Sequence, residues 1–196
     1  ITLTLYRLKP GLLLLPGKEY VGKIEILDIQ LENLDDETSI HTLTPPLLKE
    51  IKIFDHKYTR GTTYIIAGKK LIGASKLATL AASQSSLRSG AGVSKIFVYK
   101  GDENYFKPHI LEEMIITYKD SDHLIDIIKT TNISSFIYGC GVEVKKINRE
   151  ILFFLLQQSF GLVLDASAFS LIYEDRENFI ELLFNRKAET ILTPHK

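Results

Sequence analysis

Cysteine is almost missing from this sequence: Cys140 is the one thiol in 196 residues. No intrachain disulfide can form, which fits a reducing, cytoplasmic setting. An excess of either charge is missing as well. Twenty-four Lys and Arg residues balance twenty-four Asp and Glu, so there is no basic surplus for a nucleic acid and no acidic solvating tail. Long apolar runs are also absent. The longest, Leu12–Leu15 and Ile151–Leu156, fall far short of the roughly 20 residues that a bilayer crossing needs. No charged leader or cleavage site follows Ile1, and the beginning reads as cut rather than processed. Nucleic acid and membrane are therefore not expected as partners.

What remains is an ordinary globular balance, 45% hydrophobic and 24% charged, long enough for one sizeable core and part of a second. The chain changes character along its length. Residues 1–31 read as extended, with alternation at Leu3-Thr4-Leu5 and again from Val21 to Ile29. Pro10-Gly11 and Pro16-Gly17 punctuate that segment as turns. Residues 32–50 have a linker composition, carrying Asp35-Asp36-Glu37 and Thr44-Pro45-Pro46, although a long surface loop has the same composition.

From Tyr64 onward, strand-like and helix-like segments alternate. Strands are expected at Tyr64–Ala67, Ile96–Tyr99, Ile115–Thr117, Phe136–Tyr138, Leu162–Leu164 and Thr190–Leu192. Helices are expected over Gly73–Ser89, Asp122–Thr131, a segment marked by Val144, Ile147, Ile151 and Leu155, and Phe179–Leu183. In the first helix Leu77, Leu80 and Ala81 have helical spacing, and Ala78, Ala81, Ala82 and Ser85 are small enough to lie close on a sheet. Repeated βα units imply an α/β fold with a mainly parallel sheet covered by helices on both faces. Ligands of such sheets bind outside the carboxyl ends of the strands, and the unusual short motifs are expected there.

Four motifs stand out. His56-Lys57 to Gly61, followed by Gly68-Lys69-Lys70-Leu71-Ile72-Gly73-Ala74, suits a strand, a glycine loop and a helix start that present N–H groups to an anion. Its spacing is neither that of the dinucleotide fingerprint nor that of the P-loop, and a plain βα turn would look the same. Gly139-Cys140-Gly141-Val142-Glu143 offers close backbone approach to a ligand or a tight structural turn. Cys140 has no recognisable basic partner and reads as a small buried residue. Asp165-Ala166-Ser167 puts a carboxylate at a strand end, where it could hold a metal, a sugar hydroxyl or, most commonly, the N–H groups of the next helix. Thr193-Pro194-His195 would aim an imidazole past a strand end behind a rigid proline, although a lone histidine is more often a surface residue. The crevice is thus expected to be lined by Gly73-Ala74, Gly139–Gly141, Asp165 and His195. Spacing alone does not name the ligand.

In their order and spacing over residues 56–195, these motifs resemble the NAD(P)H-hydrate dehydratase family, which has a ribokinase-like fold. His56-Lys57 with Gly61, Gly68, Gly73-Ala74 and Leu87-Arg88-Ser89-Gly90-Ala91-Gly92-Val93 follow that family's opening. Gly139–Glu143 resembles its Gly-Pro-Gly-Leu-Gly, Asp165–Phe169 its Asp-Ala-Asp-Ala-Leu, and Leu192–His195 its Leu-Thr-Pro-His. The departures are Cys140 for proline, Glu143 for glycine and Ser167 for aspartate. Lys9-Pro10-Gly11-Leu12-Leu13, Pro16-Gly17, Tyr20-Val21-Gly22 and Asp28-Ile29 are similar to the last strands of the NAD(P)H-hydrate epimerase domain, which precedes the dehydratase in bifunctional proteins.

The resemblance implies the end of a Rossmann-like epimerase domain at residues 1–31, a linker at 32–50 and the front part of a dehydratase domain at 51–196. It implies an enzyme that uses ADP or ATP with Mg²⁺ to phosphorylate the hydroxyl of hydrated NADH or NADPH and then expels phosphate, while the epimerase half, with K⁺ as the cofactor the resemblance implies, interconverts the hydrate epimers. Ala74, Gly141 and His195 match the substrate-contacting positions, and family analogy implies a homo-oligomer. The catalytic aspartate and the nucleotide segment are expected beyond Lys196, so that these 196 residues alone are not expected to catalyse the reaction. A ribokinase-like kinase of a vitamin precursor or sugar would share the fold. The altered glycine and aspartate motifs would suit a non-catalytic NAD(P)-binding relative. The epimerase-like segment speaks against the kinase.

Overall fold

Thr62–Ile66, strand β3 of the chain, is buried at every position, as a strand packed on both faces must be. It belongs to a computed structural model that describes residues 1–31, 41–48, 50–69, 72–110 and 112–194. Lys70, Leu71, His195 and the acidic run of the expected linker lie outside the described residues. The chain divides into two compact units, Ile1–Leu47 and Leu48–Lys196. Among the described residues no helix is long and apolar enough to cross a membrane.

In the first unit β1 (Thr2–Leu5) pairs in parallel with β2 (Ile24–Leu27). The extended reading of residues 1–31 needs correction between the two strands. Pro10–Leu13 and Lys18–Val21 are short helical turns, α1 and α2. Pro10 opens α1, where its fixed φ and missing N–H cost nothing. The Lys9 ammonium closes the following loop by donating to Thr4 Oγ1 and to the Leu5 and Arg7 carbonyls.

The second unit is a six-stranded parallel sheet in the order β5-β4-β3-β6-β7-β8. Its other strands are β4 (Val93–Tyr99), β5 (Met114–Tyr118), β6 (Ser135–Tyr138), β7 (Gly161–Asp165) and β8 (Thr190–Thr193). The connecting helices are α3 (Ile72–Arg88), α4 (Ser121–Lys129), α5 (Lys146–Leu156), α6 (Ser167–Ile172) and α7 (Arg176–Asn185). Two 3₁₀ turns, Glu103–Tyr105 and Lys107–His109, link β4 to β5 in place of a helix. Strand order runs outward through β4 and β5 and then restarts on the other side of β3 with β6. The β3/β6 boundary is therefore the topological switch point.

One face of the sheet carries the larger core. Tyr64, Phe97, Phe136 and Phe160 form a row across it with ring centroids 5.3 to 6.4 Å apart. Leu124 and Ile128 of α4, Ile151, Leu152, Leu155 and Leu156 of α5, and Phe179 of α7 pack over it. The opposite face lies under α3, and here the expected helix face is wrong. α3 buries Ser75, Thr79 and Ser83, whereas Leu77 is 74% exposed. Small hydroxyl side chains let this helix approach the strands, and Ser83 Oγ donates to Ser94 Oγ at 2.7 Å. The other helices follow the apolar periodicity more closely, although Val144 precedes α5 and α6 was not foreseen.

The carboxyl end of α5 is closed by one side chain. Arg186 donates to the carbonyls of Leu155, Leu156, Gln158 and Phe160 and to Thr190 Oγ1. It satisfies acceptors that the helix end would otherwise leave open. We expect Arg186→Met to lower stability by about 2 kcal/mol, less than the sum of its bonds because water replaces some of them. Urea unfolding checks this: the midpoint falls with an unchanged slope. An unchanged midpoint would show that this cap does not matter.

Candidate functional site

The glycine loops after β3 and β6 meet at the switch point. A Cβ on Gly68 would lie 2.1 Å from the carbonyl carbon and oxygen of Gly141 and 2.5 Å from the amide nitrogen of Val142. Gly141 itself has φ +68° and rests on α3: its Cβ would fall 2.7 Å from the Cβ of Ser75. Both positions need glycine, the first for space and the second also for its backbone angle. This contact sets the first turn of α3, with exposed Gly73 and Ala74, beside Gly141 at the carboxyl edge of the sheet. The Ser75 hydroxyl is fully buried there with no hydrogen-bond partner among the described residues.

The loop after β6 is fastened from behind. The Tyr138 hydroxyl donates to the Asn148 carbonyl at 2.8 Å, and Asn148 Nδ2 donates to the Glu143 carbonyl at 2.7 Å. Burial holds the Tyr138 phenol well above its ordinary range, so it is a donor throughout. Gly139, with φ +120°, lets the Asp165 carbonyl approach: its Cβ would meet that oxygen at 1.8 Å.

Asp165 ties the ends of three strands together. Its Oδ2 accepts from Cys140 Sγ at 3.3 Å, and its Oδ1 accepts from Thr193 Oγ1 at 2.7 Å. Helix capping, the commonest role expected for this carboxylate, is not what it does: Ala166 occupies the N-cap of α6, and no side chain caps it. The turn holds Ala166 at φ +46°, an uncommon angle for a residue with a Cβ. Burial, followed by the Asp165 carboxylate, pushes the Cys140 thiol up to about 12. Cys140 is therefore a protonated donor and not a nucleophile.

Of the residues read from the sequence, Ala74 and Gly141 come together through Ser75, and Asp165 joins Cys140 to Thr193. His195, two residues past Thr193, lies outside the described residues. The His56 and Leu87–Val93 motifs do not reach this edge. A Cβ on Gly92 would meet the Lys57 carbonyl oxygen at 1.7 Å, and the Gly92 amide donates to the Gly61 carbonyl at 2.9 Å. These motifs pack against each other before the first residues of β3 and β4, at the amino edge. Two features escaped sequence reasoning. One is the role of Thr193, which only the pairing of β7 with β8 reveals. The other is the crevice beside Gly68 described below. Among the described residues no group of three or more His, Cys, Asp or Glu side chains converges to hold a metal ion.

The fold of this parallel α/β unit is ribokinase-like, as solved structures show. A ribokinase-like superfamily protein of Enterococcus faecalis superposes with TM-score 0.57 at 18% identity, over 76% of this chain and 50% of its own. An ADP/ATP-dependent NAD(P)H-hydrate dehydratase of Bacillus subtilis, crystallised with ATP and Mg²⁺, gives 0.52 at 17% identity, over 74% and 62%. A family model for NAD(P)H-hydrate dehydratases matches residues 63–196. The chain belongs to the NAD(P)H-hydrate dehydratase family. It is 31% identical over 189 residues to a bifunctional NAD(P)H-hydrate repair enzyme of Dictyoglomus turgidum, covering 87% of this chain and 36% of that one. It is 26% identical over 150 residues to an ADP-dependent (S)-NAD(P)H-hydrate dehydratase of Lactococcus lactis, covering 76% and 51%. The chain thus spans about a third and about half of these two curated relatives.

Substituting Gly68 tests the contact on which the edge is built. Gly68→Ala drives a methyl into the Gly141 backbone and is expected to cost about 2–3 kcal/mol. Gly73→Ala, with no described atom within 4 Å of the new methyl, is expected to be neutral or to stabilise α3 by up to roughly 1 kcal/mol. Thermal unfolding of both variants checks the contrast, and equal effects would refute it.

Proposed function

We propose that this protein acts in the repair of hydrated NADH and NADPH, by nucleotide-dependent dehydration. The observation that carries this reading is the Gly68–Gly141 contact, which sets the first turn of α3 beside a bare backbone loop in a chain whose residues 63–196 match the dehydratase family. That match does not favour the readings as a vitamin or sugar kinase or as a non-catalytic relative.

ADP or ATP, accompanied by Mg²⁺, supplies the phosphoryl group that turns the hydrate hydroxyl into a leaving group; loss of phosphate and of a ring proton then restores the double bond. The contribution of this chain is positioning. Gly141 rests on Ser75 where a side chain would be and is half-buried, and the ring is placed beside this loop and the first turn of α3. The first N–H groups of α3, at Ile72, Gly73 and Ala74, precede the first helical donor and suit an anionic group of the substrate. Asp165, held by Cys140 and Thr193, fixes the end of β8 from which His195 would meet the substrate. Residues 1–31 are proposed as the end of a fused epimerase domain that supplies both hydrate epimers to the dehydratase. The first relative's name, a bifunctional repair enzyme, supports that coupling. A cytoplasmic homo-oligomer is the proposed setting.

The test is a repair assay on the product of the complete gene, given hydrated NADH, Mg²⁺ and either ADP or ATP, following the return of NADH absorbance. Recovery is expected only with nucleotide, and recovery of both epimers is expected if the epimerase half is active. No recovery from the folded protein would overturn the reading.

A further inference from the structure

A second crevice shares its wall with the Gly68–Gly141 contact. It lies at the carboxyl ends of β3, β4 and β5 and has a volume of about 280 Å³. Ligand sites generally run from roughly 300 to 1,000 Å³, so this one has room for a single nucleoside and not for a whole dinucleotide. Ile66, Val142 and Ile151 form an apolar wall, and Tyr99 and Tyr118 line another part. The two tyrosine rings stand edge to face, 5.8 Å apart and at 90°. The Lys69 ammonium lies 3.8 Å from the centroid of the Tyr99 ring.

The charges around this crevice are not balanced. Its two carboxylates are already engaged: Asp120 caps α4 by accepting from the His123 amide at 2.8 Å, and Glu143 pairs with Lys145 at 2.9 Å. Lys69 and Lys119 have no carboxylate partner among the described residues, and both are exposed. Burial, and then Asp102 and Tyr99, push the Tyr118 phenol up to about 12, so its ring adds no negative charge. The crevice therefore combines aromatic surface with two ammonium groups that no carboxylate neutralises, which suits a flat heterocycle that carries phosphate.

We infer that this crevice takes the adenosine end of the dinucleotide substrate, with its base against Tyr99 and Tyr118 and its phosphate groups paired with Lys69 and Lys119. The inference rests on the repair reading above and deepens it. It makes the two lysines the residues that favour the 2′-phosphorylated cofactor. Adenosine phosphate chemistry is shared by the dinucleotide and by the ADP or ATP donor, and location selects the dinucleotide. Lys69 follows directly on Gly68, so an adenosine held there reaches along the same backbone to Gly141 and the first turn of α3.

Calorimetric titration of the full-length protein with NADP⁺, NAD⁺, adenosine 2′,5′-bisphosphate and ATP separates the sources. In the Lys69→Ala/Lys119→Ala double variant, NADP⁺ and the bisphosphate are expected to bind about tenfold more weakly, NAD⁺ to lose less, and ATP to be unchanged. Tyr99→Ala is expected to weaken NADP⁺ and NAD⁺ alike, and Tyr99→Phe to keep both. Both lysines are exposed, so the double variant should fold, which circular dichroism checks. Unchanged NADP⁺ affinity, absence of NADP⁺ and bisphosphate binding to the parent protein, or a loss confined to ATP would overturn the assignment. If the repair assay failed while the lysine variants still lost NADP⁺, the repair reading would fall and the subsite would stand.

Discussion

The contact between Gly68 and Gly141 is the constraint on which the carboxyl edge depends. It brings the ends of β3 and β6 together where the strand order reverses, without a side chain between them. Parallel strands diverge into their helices at this point, and the gap is the natural place for a ligand. A methyl on either glycine would push one loop away, and with it the start of α3 on one side and the wall of the tyrosine crevice on the other.

The remainder of the edge is built to hold this contact in place. Tyr138 and Asn148 brace the loop after β6 from below, and Gly139 admits the Asp165 carbonyl from the side. The Asp165 carboxylate accepts a thiol proton from one neighbouring strand end and a hydroxyl proton from the other. Cys140 thereby has a structural reason to be present: its thiol supplies a donor to Asp165.

Much of the fold was legible because buried parallel strands announce themselves as short apolar runs, and Tyr64–Ala67, Phe136–Tyr138 and Leu162–Leu164 all fall on strands or directly after them. What misled was polarity inside the core. Thr62, Thr63 and Ser94 are buried and belong to strands, yet they look like loop residues, and α3 turns serines and a threonine inward while leaving Leu77 in water. The apolar period of that helix was right and its face was wrong. The motifs were legible as residues but not as places: Gly92 and Gly61 are needed for packing at the amino edge, while Gly68 and Gly141 make the carboxyl edge. The tyrosine crevice was not legible, because it draws on β3, β4, β5 and α5, and no window of sequence contains all of these.

The most direct test of a carboxyl-edge site is backbone amide exchange measured with and without NADP⁺ on the full-length protein. Added protection is expected at Gly68–Lys69, at Gly73–Ser75 and at Gly139–Gly141, with no change at Arg60–Thr62 or Ser89–Ala91 on the amino edge. Protection at the amino edge instead, with none around Gly141, would contradict the placement of the site at the switch point.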